Sequence, residues 1–261
     1  MKDNAVLDWL RGQTEAFASG EDISKKLKVS RAAVWKEIQN LRQLGYTIEA
    51  QPHLGYRLAG IPDKMFADEI AYKLGTQTIG HEILSYDELD STNDVAFKRG
   101  EQGAKEGVCV FAEHQKKGRG RLGRVWQAPK GKNLLLSYLL RPRLSPAEVS
   151  KITLLAALSV IKAVQKMTGE TLGIKWPNDI VFEEKKLCGV LTEMSAEADR
   201  VNFVVVGIGV NVNATGSELP PGSTSLKEIL GREVSRVEFA RCLLKEIEND
   251  VNQFKKGRFA E

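Results

Sequence analysis

The chain has 261 residues, 42% of them hydrophobic, and a formal net charge of +4. That length supports one large or two smaller domains with a proper core, and so small a charge excess does not by itself make nucleic acid the main partner. The longest apolar stretch, Ile152 to Val164, is broken by Thr153, Ser159 and Lys162, short of the ~20 residues that span a bilayer. Asp3, Asp8 and Arg11 punctuate the start, so no secretory signal is read and a cytoplasmic location without a membrane partner is expected. Cys109, Cys188 and Cys242 are far apart and read as buried thiols rather than a disulfide framework or a metal site. His81-Glu82 opens like HExxH but the closing position is Ser85, and neither GxSxG nor a Walker A loop occurs. Asn213-Ala-Thr215 has the form of a glycosylation sequon and is read as chance.

Val6, Leu7 and Leu10 fit the apolar face of a first helix, Ile23 and Leu27 a short second one, and Val34, Ile38, Leu41 and Leu44 a third. Ser30 is placed to cap the third helix and Gly45 to end it. Only a tight connection around Lys28 and Val29 precedes it, the spacing of a helix-turn-helix. YTIEAQPHLGYRL then supplies two short strand-like runs, a hairpin or wing, which completes a winged helix-turn-helix over residues 1–60. From Lys25 to Arg42 six cations stand against one acid, Glu37. Ser30, Arg31, Ala32 and Lys36, at the start of the third helix, are expected in a major groove, with Lys25, Lys26 and Arg57 on phosphates. A solvated basic face that serves protein contacts alone is the competing reading. Gly60 and Pro62 mark a boundary, giving a linker at 61–64 and a second domain over 65–261.

In the second domain a helix is expected around Met65 to Leu74, a strand at Glu82 to Tyr86, a helix from Thr92 to Arg99 and a strand through GVCVFAEH. NLLLSYLL reads as a buried strand, and Ser145-Pro-Ala-Glu148 as a capping box that opens a long helix to about Met167. IVFEEKKLCGVLTEM gives a strand hairpin, VNFVVVGIGVNVN a strand, and Ser235 caps a last helix. The sum is an α+β fold with one mixed β-sheet flanked by helices. Within it, GRGRLGR (Gly118 to Arg124) follows Lys116 and Lys117, so nine residues carry five cations and no acid. Like charges at that density repel and the glycines are costly to order, which predicts a loop that is mobile until an anion folds it. In GIGVNVN, Gly207, Gly209, Asn211 and Asn213 alternate with Ile208, Val210 and Val212, so one face invites close approach by a ligand, a backbone or a packed helix. KWPND, Lys175 to Asp179, sets a cation, an aromatic, an amide and a carboxylate around Pro177. Asp90-Ser-Thr-Asn93 offers hydroxyls and an amide at a helix start, where ordinary capping is an equal explanation.

Taken together, STN at 91–93, GRGRLGR, Trp126, KWPND, KLCGVLTE at 186–193 and GIGVNVN resemble, in order and spacing, the biotin protein ligases. With the winged helix in front, the chain resembles their bifunctional members, which also repress the biotin operon. The resemblance implies a class II synthetase-like catalytic domain that activates biotin with MgATP to biotinyl-5′-AMP and passes it to a lysine of a biotin carboxyl carrier protein. It implies Arg119, Arg121, Lys186 and Asp179 as catalytic groups, and Ser91, Thr92, Asn93, Gln115, Arg119, Gly120, Arg121 and Lys186 around biotin. Arg121, Trp126, Lys175, Asn178 and Asn211 would meet the nucleotide, with no fixed metal site and Mg2+ arriving with ATP near Asn178. Fixed cations suit the chemistry, because carboxylate attack on phosphorus concentrates negative charge. Biotinyl-5′-AMP would act as corepressor, favouring a homodimer that binds a two-fold operator. The family pattern continues into a C-terminal SH3-like barrel that assists ATP and acceptor binding, and this chain stops at Phe259, Ala260 and Glu261 without it. The alternative expectation is therefore a repressor that senses biotin or its adenylate with little ligase turnover. A Gly/Arg RNA-binding reading of GRGRLGR is set aside, since the segment is short, unrepeated and set between strands.

Overall fold

The computed structural model describes residues 5–13 and 16–258, so the chain end at 259–261 lies outside the described residues. The chain divides into two compact units, residues 1–63 and 64–261.

In the first unit, α1 (Ala5–Gly12) buries Val6, Leu7 and Leu10, α2 (Gly20–Leu27) buries Ile23, and α3 (Arg31–Leu44) buries Val34, Ile38 and Leu41. The turn between α2 and α3 works because Lys28 adopts the left-handed region (φ 54°) and Ser30 accepts a bond from the N–H of Ala33 at 3.1 Å. Gly45 (φ 104°) ends α3 by donating back to the Leu41 and Arg42 carbonyls. The wing is an antiparallel pair, β1 (Thr47–Gln51) and β2 (Gly55–Gly60). Tyr56 also exchanges two backbone bonds with Ala18, at 2.7 and 2.8 Å, which brings that backbone against Gly55. A Cβ at Gly55 would lie 2.0 Å from the Ala18 carbonyl, so only glycine fits.

In the second unit the described residues form a seven-stranded mixed sheet. Its strands are β3 (Glu82–Tyr86), β4 (Val108–Ala112), β5 (Leu134–Leu140), β6 (Gly173–Lys175), β7 (Asp179–Phe182), β8 (Lys185–Ala196) and β9 (Val201–Val210), in the order β3-β4-β5-β9-β8-β7-β6. β3 and β4 run parallel and the other neighbours antiparallel. Alternation assigns the two faces. Val108, Val110, Leu139, Phe203 and Val205 pack with Ala96 of α5 (Thr92–Glu101). Cys109, Phe111, Tyr138, Val204, Val206 and Ile208 meet α6 (Ser150–Thr168) and α8 (Arg236–Lys255). Gly207 and Gly209 continue the first face, under the first turn of α5 and past it, and there no helix body covers the sheet.

Five local features differ from the sequence reading. α4 is only Ala67–Ala71, because Lys73 (φ 55°) and Gly75 (φ 74°) turn the chain away. β6 and the short α7 (Leu226–Leu230) were not expected. β9 stops at Val210, so Asn211 and Asn213 lie past the strand. The Ser145 box closes on a single 3-10 turn, Pro146–Glu148, ahead of α6.

Lys151 first, then the Ser145 N–H and hydroxyl, hold the Glu148 carboxyl down at about 2, from an ordinary 4.5. A carboxyl depressed on folding adds stability above its unfolded value and loses it as pH falls through the folded one. Glu148→Gln is therefore expected to lower the melting temperature at pH 7, with the gap to the parent closing as pH falls from 4.5 towards 2; paired thermal melts across that range check it.

Candidate functional site

Across the open face, Gly189 of β8, Gly209 of β9 and Leu135 of β5 stand in one row, and Leu191, Gly207 and Ser137 in the next. The floor is low because side chains from above occupy the missing Cβ positions. A Cβ on Gly207 would lie 2.3 Å from Asn93 Oδ1, and one on Gly209 would lie 2.4 Å from the Trp126 indole. The glycine alternation in the sequence thus marks a helix start in one case and a loop aromatic in the other.

Above this floor lies a cavity of about 460 Å³. Ser91, Thr92, Asn93, Gln115, Arg119, Gly120, Arg121, Trp126, Lys175, Asn178, Asp179 and Lys186 all line it. Its walls hold five cations, Arg119, Arg121, Arg124, Lys175 and Lys186, against a single carboxylate, Asp179. A smaller cavity of about 260 Å³ shares Trp126, Lys175, Asp179 and Lys186 with the first.

One end of the main cavity is a buried polar cluster. Ser91, Thr92 and Asn93 are 3 to 4% exposed, and Ser91 makes no capping bond through its side chain, so ordinary capping does not account for it. Gln115 Oε1 instead accepts from the Thr92 N–H (2.7 Å) and hydroxyl (2.9 Å). The Ser137 hydroxyl reaches both Thr92 Oγ1 (2.7 Å) and Asn93 Oδ1 (2.5 Å), and Asn93 donates to Glu193 at 2.5 Å.

The glycine-arginine loop is folded as a small hairpin. Gly120 donates to Arg124 and Trp126 to Gly118, around a 3-10 turn at Arg121–Gly123 in which Leu122 takes φ 55°. Three of the segment's five cations pair with acids from elsewhere in the chain. Arg119 meets Asp94 at 2.7 Å and Glu193 at 3.3 Å, Lys116 meets Glu88 at 2.8 Å, and Lys117 meets Asp90 at 2.8 Å. Those hydrogen bonds lower the Glu88 and Asp90 carboxyls against a smaller effect of burial. The acids come from other segments, which a local charge count cannot register. Arg121 Nη1 donates to Asn178 Oδ1 at 3.2 Å, tying the loop to KWPND, whose Trp176–Pro177 peptide is cis.

Lys186 Nζ lies 2.8 Å from Asp179 Oδ1 and 5.5 Å from the Trp126 ring centroid. The Trp126 indole N–H is buried with no acceptor among the described residues. Cys188, beside Lys186, is fully buried, and burial pushes its thiol well up, outweighing the lysine, so it stays an inert neutral group.

Asn211, expected at the nucleotide, lines the smaller cavity, with its amide engaged by the protein. It is 2% exposed, and its amide accepts from Asn133 and donates to the Thr224 carbonyl, both at 3.1 Å. Asn213 likewise exchanges two bonds with the Val234 backbone. These amides hold loops together, because the strand ends before them. Sequence reasoning missed Arg124 and Val125 in the cavity wall and the partners Asp94 and Glu193; position within STND and KLCGVLTE was the available signal for the last two.

In the first unit Arg31, Ala32 and Lys36 form an exposed face of α3, and Lys25 and Lys26 are exposed on α2, where Lys25 pairs with Glu21 at 2.8 Å. Ser30 is used as the cap. Arg57 is already engaged: Glu49 binds it through two nitrogens, at 2.6 and 3.2 Å, and it covers the Phe17 ring. Trp35, 58% exposed in the middle of the α3 face, was overlooked.

Comparison with known proteins agrees with this geometry. Residues 86–211 match the biotin/lipoate A/B protein ligase family and residues 2–57 an HTH domain. The bifunctional ligase/repressor BirA of Bacillus subtilis is 41% identical over 87% of this chain and 71% of its own length. BirA of Escherichia coli is 32% identical over 100% of this chain and 81% of its own. The structure of biotin protein ligase from Aquifex aeolicus in complex with biotin and ATP aligns over 69% of this chain and 74% of that one, with a TM-score of 0.58 and 34% identity. Fold and site together define a ligase of the biotin and lipoate type joined to a DNA-binding helix-turn-helix. The chain belongs to the biotin protein ligase family, in its bifunctional ligase/repressor branch. That membership favours ligation with repression over a repressor that senses without turnover.

Gly209→Ala is expected to push the Trp126 indole off the sheet, at a cost of about 1–3 kcal/mol for overpacking. Calorimetric melting together with the near-ultraviolet tryptophan signal measures both effects.

Proposed function

We propose that this cavity joins biotin to ATP and then delivers the biotinyl group to a lysine of a carrier protein, and that the loaded protein represses biotin genes. The observation that carries the reading is the cavity's charge: five cations and one carboxylate beside a buried polar cluster suit a ligand that is anionic at one end and an uncharged hydrogen-bonding group at the other. The ureido head of biotin is placed with Ser91, Thr92, Asn93 and Gln115, and its hydrocarbon part with Leu135 and Leu191. Its carboxylate attacks the α-phosphorus; a C–O–P linkage forms, the bond to the leaving phosphate breaks, and pyrophosphate departs. Lys186, Arg119 and Arg121 offset the charge that grows on the phosphoryl oxygens, with Gly120 letting the loop backbone close over them. Trp126 faces adenine, and its unpaired N–H has an acceptor to find there. Lys175 and Asn178 serve the nucleotide.

Among the described residues no group of three His, Cys, Asp or Glu gathers to hold a metal. In this reading Mg2+ arrives with ATP as part of the substrate and offsets phosphate charge next to Asn178. In the second step the acceptor amine attacks the acyl carbon, an amide forms and AMP leaves. Asp179, the one carboxylate of the cavity wall, orients that amine and takes its proton.

For repression, Arg31, Ala32 and Lys36 enter the major groove with Trp35 beside them, and Lys25 and Lys26 meet phosphates. Two copies paired by ligand would read half-sites ~34 Å apart or a multiple of it. No described helix is long and apolar enough to cross a membrane, and the proposed partners place the protein in the cytoplasm.

Incubation with biotin, MgATP and a carrier domain should label one lysine, and Arg119→Ala should lower labelling at least 100-fold while releasing the adenylate. Adenylate accumulation with no labelled lysine in the parent chain would instead support the sensing repressor. In an operator gel shift, biotinyl-5′-AMP should tighten binding; unchanged affinity would refute the corepressor role.

A further inference from the structure

Asn133, Arg236 and Glu113 are 1, 2 and 9% exposed, and none of them lines the cavity. Arg236, the first residue of α8, donates to Glu113 Oε2 at 2.7 Å and to the Asn133 carbonyl at 3.3 Å. Glu113 Oε1 accepts the Met65 N–H at 2.7 Å. Asn133, just before β5, uses its side chain both ways: Oδ1 accepts from the Val212 N–H at 3.2 Å, and Nδ2 donates to Asn211 Oδ1 at 3.1 Å. Asn211 in turn holds the Thr224 carbonyl at 3.1 Å, and its own N–H holds the Leu187 carbonyl at 2.9 Å. The segment around Thr224 is the ladder partner of Lys186. Lys186 N–H donates to Gly222 at 2.8 Å, and its carbonyl accepts from Thr224 at 2.9 Å. One buried chain of polar contacts thus runs from the ion pair to the backbone of Lys186.

A buried ion pair is weak evidence for stability, since a well-packed apolar substitute often does as well, but it fixes direction. Here the direction fixed is that of the Asn133 carbonyl and side chain. We infer that Asn133 is a positioning residue for Lys186: acting through Asn211 and the 222–224 segment, it sets where along β8 the lysine stands, and Arg236 with Glu113 sets Asn133. The inference rests on Lys186 serving the adenylation step proposed above. The residues assigned to the biotin head sit at the start of α5 and at Gln115, outside this chain of contacts, so the two ends of the site are separately supported.

Asn133→Asp keeps the size of the side chain and its acceptor for Val212 but sets an oxygen against Asn211 Oδ1. In biotin-dependent pyrophosphate exchange, N133D should lower kcat roughly 10- to 100-fold, the scale of an ångström-sized misplacement, and change the biotin KM less than about threefold. Far-ultraviolet dichroism and melting confirm that the variant is folded; if it is not, Asn133→Ser, which keeps a hydroxyl for Val212, is read in the same way. A folded variant with unchanged kcat, or with its loss confined to the biotin KM, would overturn the inference while leaving the ligase reading intact. Absence of exchange in the parent chain would overturn the ligase reading itself, and the inference with it.

Discussion

A guanidinium that is 2% exposed must have its charge and donors answered inside the protein, and Arg236 has them answered by segments far apart in sequence. Glu113, just past the end of β4, and Asn133, just before β5, converge on the first residue of α8, and Met65 joins them through Glu113. Removing one partner of such a pair leaves a buried charge without its counterion, typically a loss of about 3–5 kcal/mol. The pair constrains how α8, two strand ends and the entry of the chain into the second unit meet. The loops that form the site emerge from those same strand ends, so the geometry above the sheet inherits its precision from a contact beneath it.

The site itself follows from an unequal covering of the sheet. α6 and α8 fill one face along the length of β9, whereas α5 covers the other only as far as Phe203 and Val205. Beyond that point the strand continues with Gly207 and Gly209, and what lies over them is a helix start and a loop tryptophan. Binding groups thus come from irregular segments held at short range by a regular one, the arrangement that gives loops chemical freedom without positional freedom. Electrostatics complete it: the carboxylates Asp94, Glu193, Glu88 and Asp90 neutralise much of a loop that would otherwise repel itself.

Much of this was legible in the chain. Apolar spacing and the Ser30 and Gly45 caps are local signals, and they gave α3 nearly to the residue; continuous apolar runs likewise marked β5 and β9, although the alternation of GIGVNVN carried the latter past its end at Val210. Short motifs gathered the cavity residues, because residue types costly to order cluster where a ligand compensates them. What was missed depends on distance in space. Arg57 reads as a free cation until Glu49 lies across the hairpin from it. The paired charges of the GRGRLGR loop and the structural employment of Asn211 are equally invisible without the fold. β6, three exposed residues long, carries no pattern to detect.

The glycine floor also bears on how such a site can change over evolution or in engineering. At Gly207 and Gly209 the side chains overhead already occupy the space that any added carbon would take. Variation there has nowhere to go, and the volume of the cavity is fixed from below. Room for altering what it accepts is confined to the walls, the 118–126 hairpin and the 175–179 turn, where Leu122 is 91% and Trp176 79% exposed and both tolerate a new shape. A search for variants with a changed acyl or nucleotide preference would be best spent on those two segments, with the sheet left untouched.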